Sequence, residues 1–501
     1  MKFQKRILEE IRKKNYILIT LIVFIVAIIM CGGFVIGHYS ADDYYIMNIG
    51  YNQYSIVNNL KEGRPIMCLL DRLANLINLD YNAFIIITVV IAIFISSINI
   101  VILFDYIIRT KNIEDTYKKI LILISVYVTI FNFMYIDNLY FVEAIVMATA
   151  MLLYTIAAKE LIESKFAKTI IYAIVATLCY NGFTCYFITI VLLVTILKDD
   201  KDLKTIIKKV IQSGLILLIA IGLNLIQINI TCKIFDLNST RTGNLNSILN
   251  NLFYIIGNLP LILINTAKQF PKYLYLIFLG IMLLLYIIAT KRNKDEYILL
   301  NYFLIIFVSI ASNFCVSIVS LSSFGTGRLL YAIGMTIGML FIYILTYNKF
   351  EKQSKIIKNI ISASLILYFA LTFIDYIYII GQHKTVNANE KQEVLQMAEY
   401  INEYEKENDI KVKKIAFIYN AKEYNGKKAH YEDIKNISGM TKRATALDWS
   451  FIGVIEFYSG IRLERTECTS EMLNNYVSSN NKFLNDYMID KDVLICPVYD
   501  W

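Results

Sequence analysis

Long apolar blocks alternate with short charged ones along this chain, and the blocks recur at close to the length of a membrane span. They run at about 17–36, 81–108, 119–136, 141–158, 167–181, 183–198, 210–230, 273–290, 297–320, 328–347 and 357–381. About 20 apolar residues cross a bilayer as a helix, so the pattern predicts about eleven transmembrane helices. Only Asn181-Gly182 separates the blocks at 167–181 and 183–198, and charge decides that these are two helices. Counted so, alternate loops on the side of the N-terminus hold about 25 Lys and Arg, and the opposite loops about eight. A single helix would invert everything downstream and erase that asymmetry. The positive-inside rule then places the N-terminus in the cytoplasm. Loops 37–80 and 231–272 and the tail 382–501 are expected on the outer face.

Composition agrees. Of 501 residues, 57% are hydrophobic and 18% charged, with a mean hydropathy of +0.53. A soluble domain has roughly 45–50% apolar residues. A soluble enzyme, a nucleic-acid-binding protein and a disordered chain are excluded, and the net charge of +8 belongs to the loops. Six basic residues precede the first apolar block, as in a signal peptide. That block is long and lacks a small-x-small cleavage site, so it reads as an uncleaved span. Eight Cys without a C-x-x-C pair, and three His, argue against a His-based metal or triad site. Cys468 and Cys496 lie in the polar tail and fit a disulfide or two free thiols equally well.

The loops and tail differ in material. From Ser55 to Leu76, Ile56, Leu60, Leu69, Leu70, Leu73 and Leu76 interleave with Lys61, Glu62, Arg64, Asp71 and Arg72, as in an amphipathic helix lying on a membrane. The 245–267 stretch is similar but uncharged. The tail carries 16 Lys/Arg and 19 Asp/Glu. Its periods predict a helix over 388–408, a strand over Lys414–Tyr419, a helix near 468–479 and a strand over Asp492–Val498. The expected fold is a polytopic α-helical membrane domain over 1–381 and a small extracytoplasmic α/β domain over 382–501.

Candidate chemistry gathers at the outer ends of the spans. Asp42-Asp43-Tyr44 directly follows the first span. Adjacent carboxylates at such a boundary raise one another's pKa, and one could serve as a general base with the other orienting it; solvated acids at a helix exit give the same string. Arg64 stands in Gly63-Arg64-Pro65. Asp137 lies in the next outer turn, with Glu143 in the following apolar block, where an acid is costly and usually functional unless it snorkels to water. Asn181 lies in Tyr180-Asn181-Gly182-Phe183, a tight turn by composition. Arg328 ends the loop Ser322–Gly327, where a guanidinium and backbone N–H groups fit a phosphate or a lipid headgroup. Trp449 and Trp501 are the only tryptophans, suited to sugar stacking or to core packing.

Together these features resemble the GT-C class of polyprenyl-phosphate-dependent glycosyltransferases over about residues 1–380. Within it, Asp42-Asp43-Tyr44, Gly63-Arg64-Pro65 and the Tyr180–Phe183 turn are similar to the bacterial glucosyltransferase family that modifies O-antigens. The resemblance implies an inverting transfer of a hexose from a polyprenyl-phosphate donor to a hydroxyl of a cell-surface glycan, outside a bacterial cytoplasmic membrane. It implies Asp42 or Asp43 as base, Arg64 or Arg328 at the phosphate, and substrate contacts from Asp137, Glu143 and Asn181. Some members hold a divalent cation such as Mg or Mn, which Asp42 and Asp43 would ligate here. The competing readings are a lipid-linked glycan transporter, a surface-polymer polymerase or ligase, and a receptor with the tail as its ligand domain.

Overall fold

Hydrocarbon offers no hydrogen bonds to a backbone, so an immersed chain satisfies its own groups as helix. The structure is a computed structural model describing residues 2–239, 245–270, 273–318, 328–347, 354–419, 443–479 and 487–498. Its first half contains α1 (Lys2–Cys31), α2 (Ala41–Tyr54), α3 (Pro65–Leu76), α4 (Tyr81–Thr110), α5 (Thr116–Ile130), the short α6 (Ile136–Leu139), α7 (Ala144–Ile162), α8 (Phe166–Cys179), α9 (Thr184–Lys198) and α10 (Leu203–Phe235). There follow α11 (Leu245–Gln269), α12 (Leu274–Asn293), α13 (Tyr297–Ser312), the short α14 (Phe314–Ser317), α15 (Tyr331–Thr346) and α16 (Lys355–Asn408). The tail adds β1 (Lys414–Ile418), α17 (Asp448–Ser459), β2 (Glu464–Thr466), α18 (Ser470–Ser479), β3 (Met488–Asp490) and β4 (Val493–Pro497).

Among the described residues, eight helices are long and apolar enough to cross a membrane, and the shorter apolar α8, α13 and α15 accompany them. The protein is membrane-embedded. Helices α9 and α15 are buried along almost their whole length, whereas α10 exposes Ile211, Leu215, Leu218 and Ile226, a surface made for lipid. Helix α15 lies tight on α5 because Gly334 and Gly338, four residues apart, face it; Cβ atoms there would stand 2.1 Å from Asn132 Oδ1 and 2.2 Å from Thr129 Oγ1. Small residues at this spacing let helix backbones approach in a membrane. Asn181–Phe183 forms one 3-10 turn between α8 and α9, so the 167–198 region is two helices, as the charge pattern requires.

Helix α11 is also apolar and long, yet both its ends lie at one end of the bundle. Asn251 donates to the carbonyl of Ile318 beyond α14 (3.3 Å). Phe270, just past α11, packs on Phe133 with ring centroids 5.3 Å apart. Both contacts are at the end that carries Asp42, so α11 runs across the bundle, in keeping with the interfacial reading of 245–267.

Three boundaries differ from the sequence pattern. The 119–136 block ends as helix at Ile130, where the Asn132 side chain bonds Thr129 O (2.9 Å) and Met134 N (2.9 Å) and turns the chain. The next long helix starts at Ala144, after Glu143 rather than around it. The 55–76 segment is not one helix: a π-helical stretch, Ser55–Leu60, leads to Gly63, whose φ of +83° no side chain adopts readily. Pro65 then opens α3 with its fixed φ.

The helix of the last span does not stop at the 381/382 boundary: α16 runs unbroken for 54 residues, from Lys355 into the tail at Asn408. The tail sheet has the order β2-β1-β4-β3, with β1 parallel to both β2 and β4. Its core includes Ala41 and Tyr44 from α2, packed with Val394, Met397, Phe451 and Leu494. Cys468 and Cys496 are both free thiols. Helix α17 reaches α2 backbone-close at Gly453, where a Cβ would stand 2.1 Å from the Tyr44 carbonyl oxygen. Gly453→Ala should therefore cost about 1–3 kcal/mol, as overpacking does, and loosen the tail. Faster proteolysis between α16 and α17 would report it; unchanged protection would mean the α2–α17 contact is not tight.

Candidate active site

The site is built from the segment between α1 and α4 and from the turn before α7. Ser40 and Asp43 form a capping box at the start of α2: Asp43 Oδ2 accepts the Ser40 N–H at 2.6 Å, and Ser40 Oγ accepts the Asp43 N–H at 3.2 Å. Such reciprocal bonds satisfy orphan donors of a helix start. Asp43 is thus fully buried, and its carboxyl is pushed well up, chiefly by that burial and further by Asp42 and Glu143. Its neighbour Asp42 is partly exposed. The two acids that look equivalent in sequence have separate environments, one closed in a cap and one open.

About three and four turns along, α2 and the π-helical stretch present Tyr54 and Asn58. Their side chains converge on Glu143 Oε1, donating at 2.8 Å and 3.1 Å. Arg64 Nη1 joins them at 3.2 Å, giving a buried ion pair whose side chains are 9% and 1% exposed. Glu143 is paired inside the protein and does not snorkel to water. The Arg64 guanidinium also stands over the Tyr180 ring at 5.4 Å. Burial pulls the Arg64 guanidinium down, but Glu143 and the other acids around it, Asp42 among them, outweigh it and hold it above its ordinary value. The Asp42 charge also acts on Tyr54 and Tyr45, which places all of these groups around one centre.

Asn181 sits one step behind. Its side chain bonds Asn224 at 3.4 Å, and Asn224 donates to the Gly63 carbonyl at 2.7 Å. It supports the Gly63-Arg64 turn. A Cβ at Gly63 would meet Asn224 at 2.6 Å, so the glycine lets these chains close together.

Asp137 and Arg328 form the neighbouring group. Asp137 Oδ2 accepts the Arg328 backbone N–H at 2.9 Å, and the Arg328 guanidinium stacks over Phe141 at 4.2 Å. Between the groups, the Tyr140 phenol is raised first by burial and then by the charges of Glu390, Asp43, Asp42 and Asp137. The Ser322–Gly327 loop lies outside the described residues, as do His430 and Trp501. No three of His, Cys, Asp and Glu converge as a metal cage among the described residues. Asp43 Oδ2 is committed to its cap, while Asp43 Oδ1 is buried with no hydrogen-bond partner among the described residues; no step below uses a divalent cation.

The sequence pattern missed Asp71. Its place on α3 among exposed Leu69, Leu73 and Leu76 suggests a polar outer face, but lipid inverts that logic. The leucines face out, and Asp71 is buried with Met67, Cys68 and Ala74. Asn59 donates to it at 2.7 Å. Burial pushes its carboxyl up to about 8, against the pull of Asn59, Arg72 and Arg64. At neutral pH it is protonated when folded and ionised when unfolded, so this group's contribution is complete near pH 4 and lost as pH rises toward 8. The fall is at most about 1.4 kcal/mol per pH unit. Asp71→Asn should flatten the dependence of the melting temperature on pH between 5 and 8; an unchanged slope would assign it elsewhere.

No protein-family model, curated protein or solved structure shows a significant match to this chain.

Proposed function

We propose that this protein transfers a sugar from a polyprenyl-phosphate donor to a hydroxyl of a cell-surface glycan, as a GT-C-type glycosyltransferase of the bacterial cytoplasmic membrane. The topology that goes with this reading has the N-terminus in the cytoplasm and Asp42 and the tail outside, from the lysine and arginine asymmetry. The observation that carries it is the sorting of charge around one centre. Asp42 is open, Arg64 is neutralised by Glu143, and Arg328 lies beside Asp137 with its guanidinium on Phe141.

Asp42 is the general base. As the acceptor oxygen attacks the anomeric carbon from the face opposite the phosphate, its proton passes to Asp42. The bond from the anomeric carbon to the phosphate oxygen breaks with its electron pair, leaving polyprenyl phosphate. The products are an inverted glycosidic bond, the lipid phosphate and protonated Asp42, through an oxocarbenium-like transition state. The phosphate needs charge rather than a proton, which Arg328 supplies; Arg64 Nη1 is already paired with Glu143. Exposed Leu69, Leu73, Leu76 and Ile77 offer the lipid tail an apolar approach along α3.

A transporter reading draws on one observation, the buried Asp375 in the apolar part of α16, since acids inside a membrane domain often mark ion paths. Photolabelling tests the choice of donor site. A photoactivatable polyprenyl phosphate should label α3 and the Tyr140–Glu143 segment, and unlabelled polyprenyl phosphate should compete. Labelling confined to the opposite end of the bundle would contradict the proposal.

A further inference from the structure

The tail sheet has a topological switch point. From β1 the chain passes through α17 to β2 on one side, then through α18 and β3 to β4 on the other. In open sheets with parallel strands, ligands bind outside the carboxyl ends of the strands at such a point. Beside it, at the carboxyl ends of β1 and β2, lies a cleft of about 470 Å³ lined by Phe417, Tyr419, Arg465, Thr466, Glu467 and Cys468. That size is within the ordinary range for small-ligand sites.

Its chemistry is specific. Arg465 Nη2 donates to Asp448 Oδ2 at 2.6 Å and to the Tyr419 hydroxyl oxygen at 2.8 Å, and the Tyr419 hydroxyl donates to the same Asp448 oxygen at 2.7 Å. The guanidinium also lies over the Phe417 ring at 5.5 Å. Arg465 is matched by Asp448, and Glu467 adds a second acid, so the cleft does not suit a phosphate or another anion. Aromatic faces beside a guanidinium fork and a carboxylate suit a neutral polyhydroxyl ligand, whose C–H faces stack and whose hydroxyls bond at the edge.

Ring contacts run from beside the cleft toward Asp42. Trp449, next to Asp448, meets Tyr45 edge-on at 5.5 Å, and Tyr45 meets Tyr54 at 5.8 Å. Tyr54 donates to Glu143. Tyr45 and Trp449 are each partly exposed, and Asp42, Arg465 and Asp448 all act on the Tyr45 phenol. A chain of ring contacts thus runs from Trp449, beside the cleft, to the buried Tyr54 and the ion pair.

We infer that the cleft at the carboxyl ends of β1 and β2 is a saccharide subsite, in which Tyr419 and Arg465, the latter held by Asp448, bind the acceptor glycan beside Trp449 while its reacting hydroxyl lies at Asp42. This rests on the glycosyl-transfer reading for the direction of the chain, but not for binding itself.

The protein's own fluorescence tests it. The full-length chain has two tryptophans, so Trp501→Phe leaves Trp449 as the sole reporter. Titration of that protein in detergent with neutral and N-acetylated hexose tri- to pentasaccharides should give a saturable change in emission. Arg465→Ala and Arg465→Lys should each weaken it about 10-fold or more, the Lys variant because it keeps charge without the fork. No response to any saccharide, a response in both Arg465 variants as strong as in the parent protein, or a response to inorganic phosphate instead would overturn the inference. No donor is present in this titration. Binding without glycosyl transfer would therefore sink the enzymatic reading alone, and transfer without binding would sink the subsite alone.

Discussion

Asp42→Asn is expected to lower glycosyl transfer by about 10²–10⁴, the usual loss on removing a general base, with membrane insertion and melting temperature unchanged. An amide keeps the shape of the carboxylate but accepts no proton at physiological pH. Asp42 is partly exposed and stands outside the reciprocal bonds of the helix cap. Asp43→Asn is the internal control. Its carboxyl is closed into the capping box with Ser40, and loss of a cap typically costs about 1 kcal/mol. Its effect should therefore appear in stability before it appears in rate. If Asp43→Asn alone abolished transfer and Asp42→Asn did not, the assignment of the base would be reversed.

Arg64→Ala is expected to be the most damaging single change to the fold. Breaking a buried ion pair by removing one partner costs about 3–5 kcal/mol, because the remaining charge stays buried without compensation. Glu143 is 1% exposed and would retain only Tyr54 and Asn58. Removing both charges, as in Arg64→Met with Glu143→Leu, should recover much of the loss, since the pair itself adds little net stability once desolvation is counted. Thermal unfolding of the two single variants and the double variant gives the coupling directly. Additive losses would mean that the two side chains do not depend on each other.

Spans and tail were readable from sequence wherever one physical period dominated. The 3-10 turn at Asn181–Phe183 follows from charge bookkeeping across the membrane, and β1, α18 and β4 follow from apolar runs and spacing. Hydropathy, however, marks where lipid ends and not where a helix ends. It stops near residue 381, while α16 runs on to Asn408 because no proline or cap interrupts it. Strand β2 is three residues, two of them exposed, at a sheet edge, and such a strand carries no apolar signal. The loop residues Asp42, Arg64, Asp137, Glu143 and Arg328 were all visible as charges at span ends. Their grouping was not, because the pairing of Arg64 with Glu143 joins positions 79 residues apart. Asp71 was hidden for a different reason: in a membrane protein the polar side of a peripheral helix faces inward.

The most direct test of transfer is to follow the anomeric carbon. Full-length protein in liposomes would be given polyprenyl-phosphate hexose labelled with ¹³C at that carbon, together with isolated cell-envelope glycan from the native host, and the products read by NMR. One polyprenyl phosphate should be released for each new glycosidic bond, with inverted configuration, and almost none with Asp42→Asn. Retained configuration would contradict the single displacement. Intact lipid-linked sugar moved to the other leaflet, with no glycosidic bond formed by the wild type, would contradict glycosyl transfer altogether.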